Sequence, residues 1–178
     1  SEMNFGRYFR NSVFVLVVKT LIILYTSILG GYVFSKLHFR FRNGIFLIVL
    51  STMMIPVPVT ILSLYQEMVW VGWIDTYKAL IITGVFNTFG IFVMKQFIAG
   101  IPDSLIESAR LDGAGEFRIW FSIYLPLSKP ALATIGLWIA VGKWNTYMST
   151  LLWTETSNSD LWLLQFYLMR LILSLIHI

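Results

Sequence analysis

The sequence predicts an all-α, polytopic membrane protein, and this follows from its composition, its long apolar segments and the placement of its charges. Of the 178 residues, 57% are hydrophobic and 12% are charged, whereas about a quarter of a typical soluble domain is charged. The mean hydropathy is +0.76. Cysteine is absent, which excludes disulfide frameworks, thiolate metal sites and cysteine nucleophiles.

Four apolar segments are long enough to cross a bilayer as helices. The hydrocarbon layer is about 30 Å thick, and a helix needs roughly 20 apolar residues to cross it. An isolated strand would leave its backbone groups unpaired in lipid, so each segment is predicted to be helical. The predicted spans are 12–35, 45–64, 77–94 and 131–153.

The basic residues predict the orientation of these spans. Lys36, Arg40 and Arg42 follow the first span, and the segment 95–129 after the third span contains Lys95, Arg110, Arg118 and Lys129. The positive-inside rule makes both connections cytoplasmic. The connections 66–76 and 155–160 contain no Lys or Arg, so we expect them, and the start of the chain, to face outward.

Both ends of the sequence have features of a piece of a longer protein. No methionine precedes Ser1, and Arg7 and Arg10 would lie on the outer side, so we expect at least one earlier helix to be missing. The apolar segment 161–172 is too short for a complete span. Residues 173–178 are identical to one translation frame of a transposon-end adaptor, so we expect this tail, including His177, to be non-native. The permease-like region is therefore predicted to cover 1–172.

Helix-breaking and small residues occur within the predicted spans. Pro56 and Pro58 lie midway along the second span, and each removes a backbone donor and favours a bend. We interpret them as a structural kink, with a moving hinge as the alternative. Glycines at 30, 31, 84, 90, 136 and 142 provide small faces at which helices can approach closely.

Two lysines are predicted at membrane depth. Lys143 lies in the fourth span beside Trp144, Asn145 and Tyr147, and an ionisable residue there usually faces a partner or a water-filled cavity. Lys19 lies in the first span and is expected, like Lys143, to face a partner or a cavity, with extension of its long stem towards the interface as the alternative.

The segment 95–129 is too polar to face lipid, and its pattern predicts two short helices. Ser104 and Glu107 fit a capping box at the start of the first helix, and Gly113 fits its end. Four aromatic residues at helical spacing predict a second helix: Phe117, Trp120, Phe121 and Tyr124. Pro126 is predicted to stop it and Pro130 to open the last span. By patterning alone, such a pair can simply lie in the interface without a further role.

A fixed spacing also runs through this segment. It reads Glu, one residue, Ala, three residues, Gly, nine residues, Ile, one residue, Leu-Pro, and it is formed by Glu107, Ala109, Gly113, Ile123, Leu125 and Pro126. This pattern resembles the EAA loop of bacterial ABC importer permeases. It departs at one position, where the small residue Ser108 replaces the middle alanine.

The resemblance covers most of the chain and is to the maltose-type carbohydrate permeases. Beyond the loop it includes Asn11-Ser12, Pro130 and Trp144-Asn145. It implies a type I (MetI-like) transmembrane domain with a cytoplasmic coupling helix in the bacterial plasma membrane. Such permeases usually have six spans, so this chain would contain spans two to five. Leu164-Gln165 and Leu168 resemble the branch that takes up oligosaccharides and polysaccharides.

The resemblance implies that the loop docks on a cytoplasmic ABC ATPase dimer. Closure of that dimer would then expose the transport pathway alternately to each side of the membrane. It also implies a second permease subunit and an extracytoplasmic solute-binding protein as partners. Glu107 is expected to meet a basic group of the ATPase, with simple helix capping as the alternative. The predicted coupling residues are Leu105, Glu107, Ser108, Ala109, Leu111, Asp112, Gly113 and Ala114.

The sequence gives little support for an enzyme. Gly142-Lys143 lacks the upstream glycine of a phosphate-binding loop and is followed by Trp144 in place of Ser or Thr. No paired carboxylates fall within the spans, and neither histidine, His38 or His177, indicates a catalytic or metal site. We therefore expect no catalytic residues, no metal and no cofactor. Nucleic-acid binding is excluded because the basic residues form no phosphate-tracking stripe.

The most consistent interpretation is a permease for a sugar or oligosaccharide. Aromatic faces and hydrogen-bonding side chains usually contact bound sugars, and the candidates in the pathway are Asn87, Thr88, Lys143, Trp144, Asn145 and Tyr147. Ordinary helix packing is the alternative for each of them. A permease for another solute, or a membrane scaffold or receptor subunit that transports nothing, is the alternative for the whole protein.

Overall fold

A computed structural model describes residues 5–155 and 158–176. In that part of the chain the elements are helices, with no strand, so the all-α prediction is confirmed. The helices are α1 (Phe5–Lys36), α2 (Arg42–Ser51), α3 (Val57–Trp70), α4 (Tyr77–Ile82), α5 (Thr88–Ala99), α6 (Asp103–Leu111), α7 (Glu116–Ile119), α8 (Leu125–Leu127), α9 (Lys129–Trp144), α10 (Met148–Trp153) and α11 (Leu164–Ile176). A π-helical turn, Trp120–Tyr124, joins α7 to α8.

Helix α1 corresponds to the first predicted span and extends beyond it at both ends. Its 32 residues correspond to a length of roughly 48 Å at 1.5 Å per residue. Among the described residues, α1 is the one helix that by itself is long and apolar enough to cross a bilayer. The number rises to as many as 4 if each of three pairs of helices joined at a bend counts as one span.

The second predicted span, 45–64, is interrupted rather than kinked. Helix α2 continues as a 3-10 turn to Met54, and Ile55 is extended, with φ −84° and ψ 114°. Proline disfavours the helical conformation in the residue that precedes it, so the helix ends before Pro56. Pro58 then lies in the first turn of α3, where a missing N–H costs little.

The third predicted span, 77–94, is also divided. Helix α4 ends at Ile82, and α5 begins only at Thr88. Gly84 has φ +70° in the connection, a conformation that glycine adopts without steric cost. The sequence indicated close packing at Gly84, but no described atom lies within 4 Å of a Cβ built there. Its role in the structure is therefore the turn.

The fourth predicted span, 131–153, consists of α9 and α10 with a break at 145–147. Pro130 occupies the first turn of α9, as predicted. The segment that follows, predicted as an incomplete apolar span at 161–172, forms α11 from Leu164 to Ile176. Residues 156–157 of the predicted outward connection and His177 of the predicted tail lie outside the described residues.

The chain divides into two compact units. The first contains the described parts of Ser1–Leu21, Pro56–Val85 and Trp138–Ile178. Its core brings α1, α3, α4 and α10 together around six buried side chains: Val15, Met68, Ala79, Leu80, Trp153 and Leu163. Arg7 pairs with Asp160 in this unit. A basic residue is unusual at an end of the chain that is predicted to face outward, and here it has an acidic partner.

The second unit contains Ile22–Ile55 and Phe86–Leu137. Here α1 and α5 approach closely through glycines, as the sequence predicted for Gly30, Gly31 and Gly90. A Cβ on Gly31 would lie 2.6 Å from Met94 Cβ and 2.9 Å from the Lys95 backbone nitrogen. A Cβ on Gly90 would lie 2.3 Å from Ser27 Oγ. Each of these glycines therefore permits a contact that alanine would obstruct.

We predict that Gly31→Ala destabilises the protein by about 1–3 kcal/mol, the usual cost of overpacking a close interface. The added methyl group meets backbone and Cβ atoms of α5, which cannot rotate away. The midpoint of thermal unfolding in detergent measures the effect. Gly44→Ala is the matched control, because Gly44 also lies in a helix and has no described atom within 4 Å of its Cβ position. Equal midpoints for the two variants would contradict the prediction.

Candidate functional site

The predicted coupling helix exists as α6, but it does not begin as predicted. Pro102 is the residue at its N-terminal cap, and no side chain forms a capping hydrogen bond there. Ser104 lies inside the first turn, and its backbone carbonyl accepts a hydrogen bond from Ser108 Oγ at 2.9 Å. The capping box of Ser104 and Glu107 is therefore wrong, because the N-cap lies two residues before Ser104, at Pro102, and the helix begins at Asp103. Glu107 is not used as a cap.

The C-terminal end of α6 follows the prediction closely. Gly113 has φ +79°, and its N–H donates to Arg110 O at 3.0 Å. The Ala114 N–H donates to Ala109 O at 2.9 Å. This pair of bonds is a Schellman motif, which satisfies two carbonyls that the end of a helix leaves without partners.

Helix α6 exposes most of the residues that the sequence singled out. Leu111 is 89% exposed and Leu105 is 46% exposed, whereas Ile106 is buried against the unit. Glu107, Ser108, Asp112 and Gly113 are exposed, and Ala109 and Ala114 are half-buried. Ala109 and Ala114 also line a cavity of about 190 Å³ next to α7. The predicted coupling residues are thus exposed or half-buried, and they include apolar, acidic and small side chains.

The second predicted helix is α7, the π-helical turn and α8 together. Trp120 and Tyr124 are buried, while Phe117 is 78% exposed and Phe121 is 57% exposed. Pro126 lies within α8, which ends at Leu127, so the helix continues for one residue beyond the proline that was predicted to stop it. Proline is tolerated there because the wider π-helical turn changes the backbone bonds ahead of it.

A lysine at the end of α1 fastens the start of α6. Lys36 Nζ lies 2.6 Å from Asp103 Oδ1 and 2.8 Å from the backbone oxygen of Ile101. Its hydrogen bond and positive charge hold the pKa of the Asp103 carboxyl below its usual range. The sequence missed this pair because 67 positions separate its members.

A second contact ties α1 to the start of α7. The Tyr32 hydroxyl donates to Glu116, and Arg110 Nη2 lies 2.6 Å from Glu116 Oε1. The Tyr32 hydrogen bond is the main cause that lowers the pKa of Glu116, and Arg110 contributes in the same direction. Glu116 therefore joins α1, α6 and α7 as a carboxylate.

A polar cavity of about 390 Å³ lies beside α6 in the same unit. The end of α1 and the following loop contribute Lys36, His38 and Arg42, and α6 contributes Glu107 and Arg110. Residues from the two connections predicted to be cytoplasmic thus line one cavity. This proximity supports the prediction that both connections lie on the same side.

The residues proposed for the substrate pathway are divided between the two units. Asn87 and Thr88 belong to the second unit, at the start of α5. Asn87 Oδ1 accepts a hydrogen bond from the Gly90 N–H at 2.6 Å, so its side chain caps the helix. The Thr88 hydroxyl lies 3.0 Å from that of Thr52. Both side chains have local structural partners.

The other four pathway candidates belong to the first unit. Lys143 and Trp144 line a small cavity together with Lys19, and the break between α9 and α10 contains Asn145 and Tyr147, which are exposed. Lys19 is 4% exposed, and its Nζ donates to the backbone oxygen of Leu80 at 2.9 Å. Lys19 thus lines a cavity and has a backbone partner, which agrees with the first expectation for it and not with extension of its side chain to the interface.

The chain is similar in sequence to known transport proteins. The family model described as "Binding-protein-dependent transport system inner membrane component" matches residues 9–173. The chain is 38% identical over 167 residues to the polygalacturonan/rhamnogalacturonan transport system permease protein YtcP of Bacillus subtilis, covering 91% of this chain and 55% of that protein. It is 34% identical over 141 residues to the arabinooligosaccharides transport system permease protein AraQ of Halalkalibacterium halodurans, covering 79% and 50%.

A solved structure has the same fold. It is a bacterial ABC transporter involved in the import of the acidic polysaccharide alginate, and one of its chains is similar to this one with a TM-score of 0.86 and 30% identity. The similarity covers 96% of this chain and 60% of that chain. This chain spans about half the length of the relatives that it matches.

We predict that Tyr32→Phe reduces the thermal stability of the protein most at neutral pH. Because the folded pKa of Glu116 is depressed, its contribution is fully present above the ordinary glutamate pKa of about 4.3. It is lost as the pH falls through the folded pKa, where Glu116 becomes protonated. The unfolding midpoints of variant and wild type should therefore differ above about pH 4.3 and converge as the pH falls through the folded pKa of Glu116. Tyr25→Phe, at a half-exposed tyrosine of the same helix, should show no such convergence.

Proposed function

Because the chain belongs to the family of binding-protein-dependent transport system inner membrane components, we propose that it forms much of the transmembrane permease subunit of an ATP-driven importer for sugars or oligosaccharides. In this proposal it couples ATP hydrolysis by a separate ATPase to translocation. The family consists of transport permeases, which are non-enzymatic subunits, and the chain belongs to it. The expectation of an ABC importer permease fold is confirmed by the family match and by the alginate importer.

The observation that carries the coupling role is the exposed face of α6 on a firmly held helix. Leu111 and Leu105 offer apolar area, and Ala109 and Gly113 leave room for a partner's backbone to approach. Glu107 is available as an acidic group because it does not cap the helix. A coupling helix needs this combination, because apolar contacts hold the partner and a charge fixes its orientation.

The attachment of α6 to α1 provides a route for transmitting movement. Lys36 holds Asp103 and the Ile101 carbonyl, and Tyr32 holds Glu116. These contacts lie at the end of a 32-residue helix that is long enough to cross a bilayer. When closure of an ATPase dimer displaces α6, the displacement therefore reaches α1 directly.

The remaining partners follow from this role. We propose a second permease subunit, an ATPase dimer at α6, an extracytoplasmic solute-binding protein and the lipid bilayer of the bacterial plasma membrane, crossed several times. The connections 36–42 and 95–129 face the cytoplasm in this arrangement. The described residues of the connections 66–76 and 155–160 face outward and contact each other through Asp75 and Asn158, whose side chains lie 2.6 Å apart.

The proposed cargo is a carbohydrate. The names of the similar proteins refer to polygalacturonan and rhamnogalacturonan, to arabinooligosaccharides and to alginate. These polymers differ in charge, so the similarity supports a sugar without choosing an acidic or a neutral one. A scaffold or receptor that transports nothing is not favoured, because the match to transport permeases extends over residues 9–173.

We predict that Glu107→Arg in the complete transporter lowers both ATPase retention and sugar uptake by roughly tenfold or more. Reversing the charge places like charges against each other at the docking surface, which costs several kcal/mol. Co-purification of the ATPase and uptake into proteoliposomes measure the two effects. Glu67→Arg is the control, because Glu67 is an exposed glutamate on a connection predicted to face outward. If Glu107→Arg leaves retention and uptake intact, the docking role is wrong.

We also predict that Lys36→Met separates docking from transport. The exposed face of α6 is unchanged, so the ATPase should co-purify normally. Uptake per ATP hydrolysed should fall by roughly fivefold or more, at the low end of typical coupling energies. Lys129→Met, at an exposed lysine of the same unit, should leave this ratio unchanged. A normal ratio in Lys36→Met would exclude this contact as a route of coupling.

A further inference from the structure

Two lysines from different helices line one small cavity in the first unit. Lys19 comes from α1, and Lys143 comes from the last turn of α9. The cavity also has hydrogen-bonding side chains: Ser12, Trp144, Thr146, Ser149 and Gln165. Its other lining residues in the described chain are aliphatic, and none of them is acidic. Two lysine side chains therefore share a space without a carboxylate.

The protein does not neutralise these charges elsewhere in the described residues. The ion pairs found there join Arg7 to Asp160, Lys36 to Asp103 and Arg110 to Glu116. Lys19 Nζ donates to the Leu80 carbonyl at 2.9 Å, which satisfies one hydrogen bond but supplies no negative charge. A cation at membrane depth is costly unless an anion or water accompanies it, and two neighbouring cations increase that cost.

The proposed import function and this pair of lysines together suggest a substrate class. We propose that the cavity receives the carboxylate of an acidic sugar, so that the imported oligosaccharide contains uronate residues. The inference rests on the proposed function and names its cargo. The cavity suits a compact anion in general. In this proposal that anion is the carboxylate of a sugar.

The size of the cavity decides which part of the ligand enters it. Its volume is about 20 Å³, which holds one or two water-sized groups. The two oxygens of a carboxylate match that space, whereas a sugar ring does not. The ring would remain outside, beside Trp144, where an aromatic face and hydroxyl groups are suitable contacts for a sugar.

The test compares two trisaccharides in the complete transporter, reconstituted with its ATPase and binding protein. One is trigalacturonate, and the other is its methyl ester, which keeps the hydroxyl groups but has no charge. The measured quantity is the import rate of the acid divided by that of the ester. This ratio should be at least about tenfold higher in the wild type than in Lys143→Met, as expected for the loss of a charged hydrogen bond. The binding protein is the same in both, so the change in the ratio arises in the permease.

Three further variants and one binding measurement make the result specific. Lys143→Arg should keep the wild-type preference because it keeps the charge. Lys78→Met, at an exposed lysine of α4 in the same unit, should also keep it. Lys19→Met is a poorer test, because it also removes the hydrogen bond to Leu80. In nanodiscs, quenching of tryptophan fluorescence by trigalacturonate should be weakened about tenfold in Lys143→Met.

Several results would overturn the inference. An unchanged ratio of acid to ester in Lys143→Met would show that the lysine does not recognise the carboxylate. Preferential import of a sugar phosphate, or chloride binding without any effect of trigalacturonate, would assign the cavity to another anion. ATP-driven import of neutral oligosaccharides with no preference for the acid would leave the proposed function intact and exclude the uronate. Import of no carbohydrate at all, with no retained ATPase, would instead refute the proposed function.

Discussion

Each helix that ends within an apolar chain leaves backbone groups that need partners, and α1 supplies many of them. In the hydrocarbon layer, and wherever packing shields a helix end from water, protein side chains must satisfy these groups. Ser12 Oγ accepts from the Leu164 N–H at 2.8 Å, Lys19 donates to Leu80 O at 2.9 Å, and Lys36 donates to Ile101 O at 2.8 Å. The ends of α4 and α11 and the connection between α5 and α6 are therefore held by polar side chains of α1.

The same arrangement explains how α6 can be both exposed and firmly positioned. Lys36 and Tyr32 hold the residues on either side of it through Asp103 and Glu116, so the outward face of α6 is not needed for stability. Its leucines and Glu107 are then available for a partner. A docking helix that had to use these residues for its own packing would have to unfold locally in order to bind.

The lysines of α1 illustrate two ways of placing a cation. Lys36 lies at the end of the helix and is neutralised by Asp103, which makes it a structural contact. Lys19 lies deep in the helix, faces Lys143 across a small cavity and has a carbonyl as its partner. The first pair is complete within the chain, whereas the second lacks an acidic partner among the described lining residues, a partner that an anionic ligand can supply. A transport pathway needs the second kind of site, because its anion must enter and leave.

The sequence by itself determined the helical fold class, the glycine-terminated helix in the segment 95–129, and the family. These depend on composition, residue spacing and local backbone preferences, all of which are readable along the chain. The sequence did not reveal the breaks at 83–87 and 145–147, because apolar residues continue on both sides of each break. It also did not reveal the contacts of Lys36 with Asp103, Tyr32 with Glu116 or Lys19 with Leu80. These partners are more than 60 positions apart, and only tertiary packing decides which distant helix ends a polar side chain can reach.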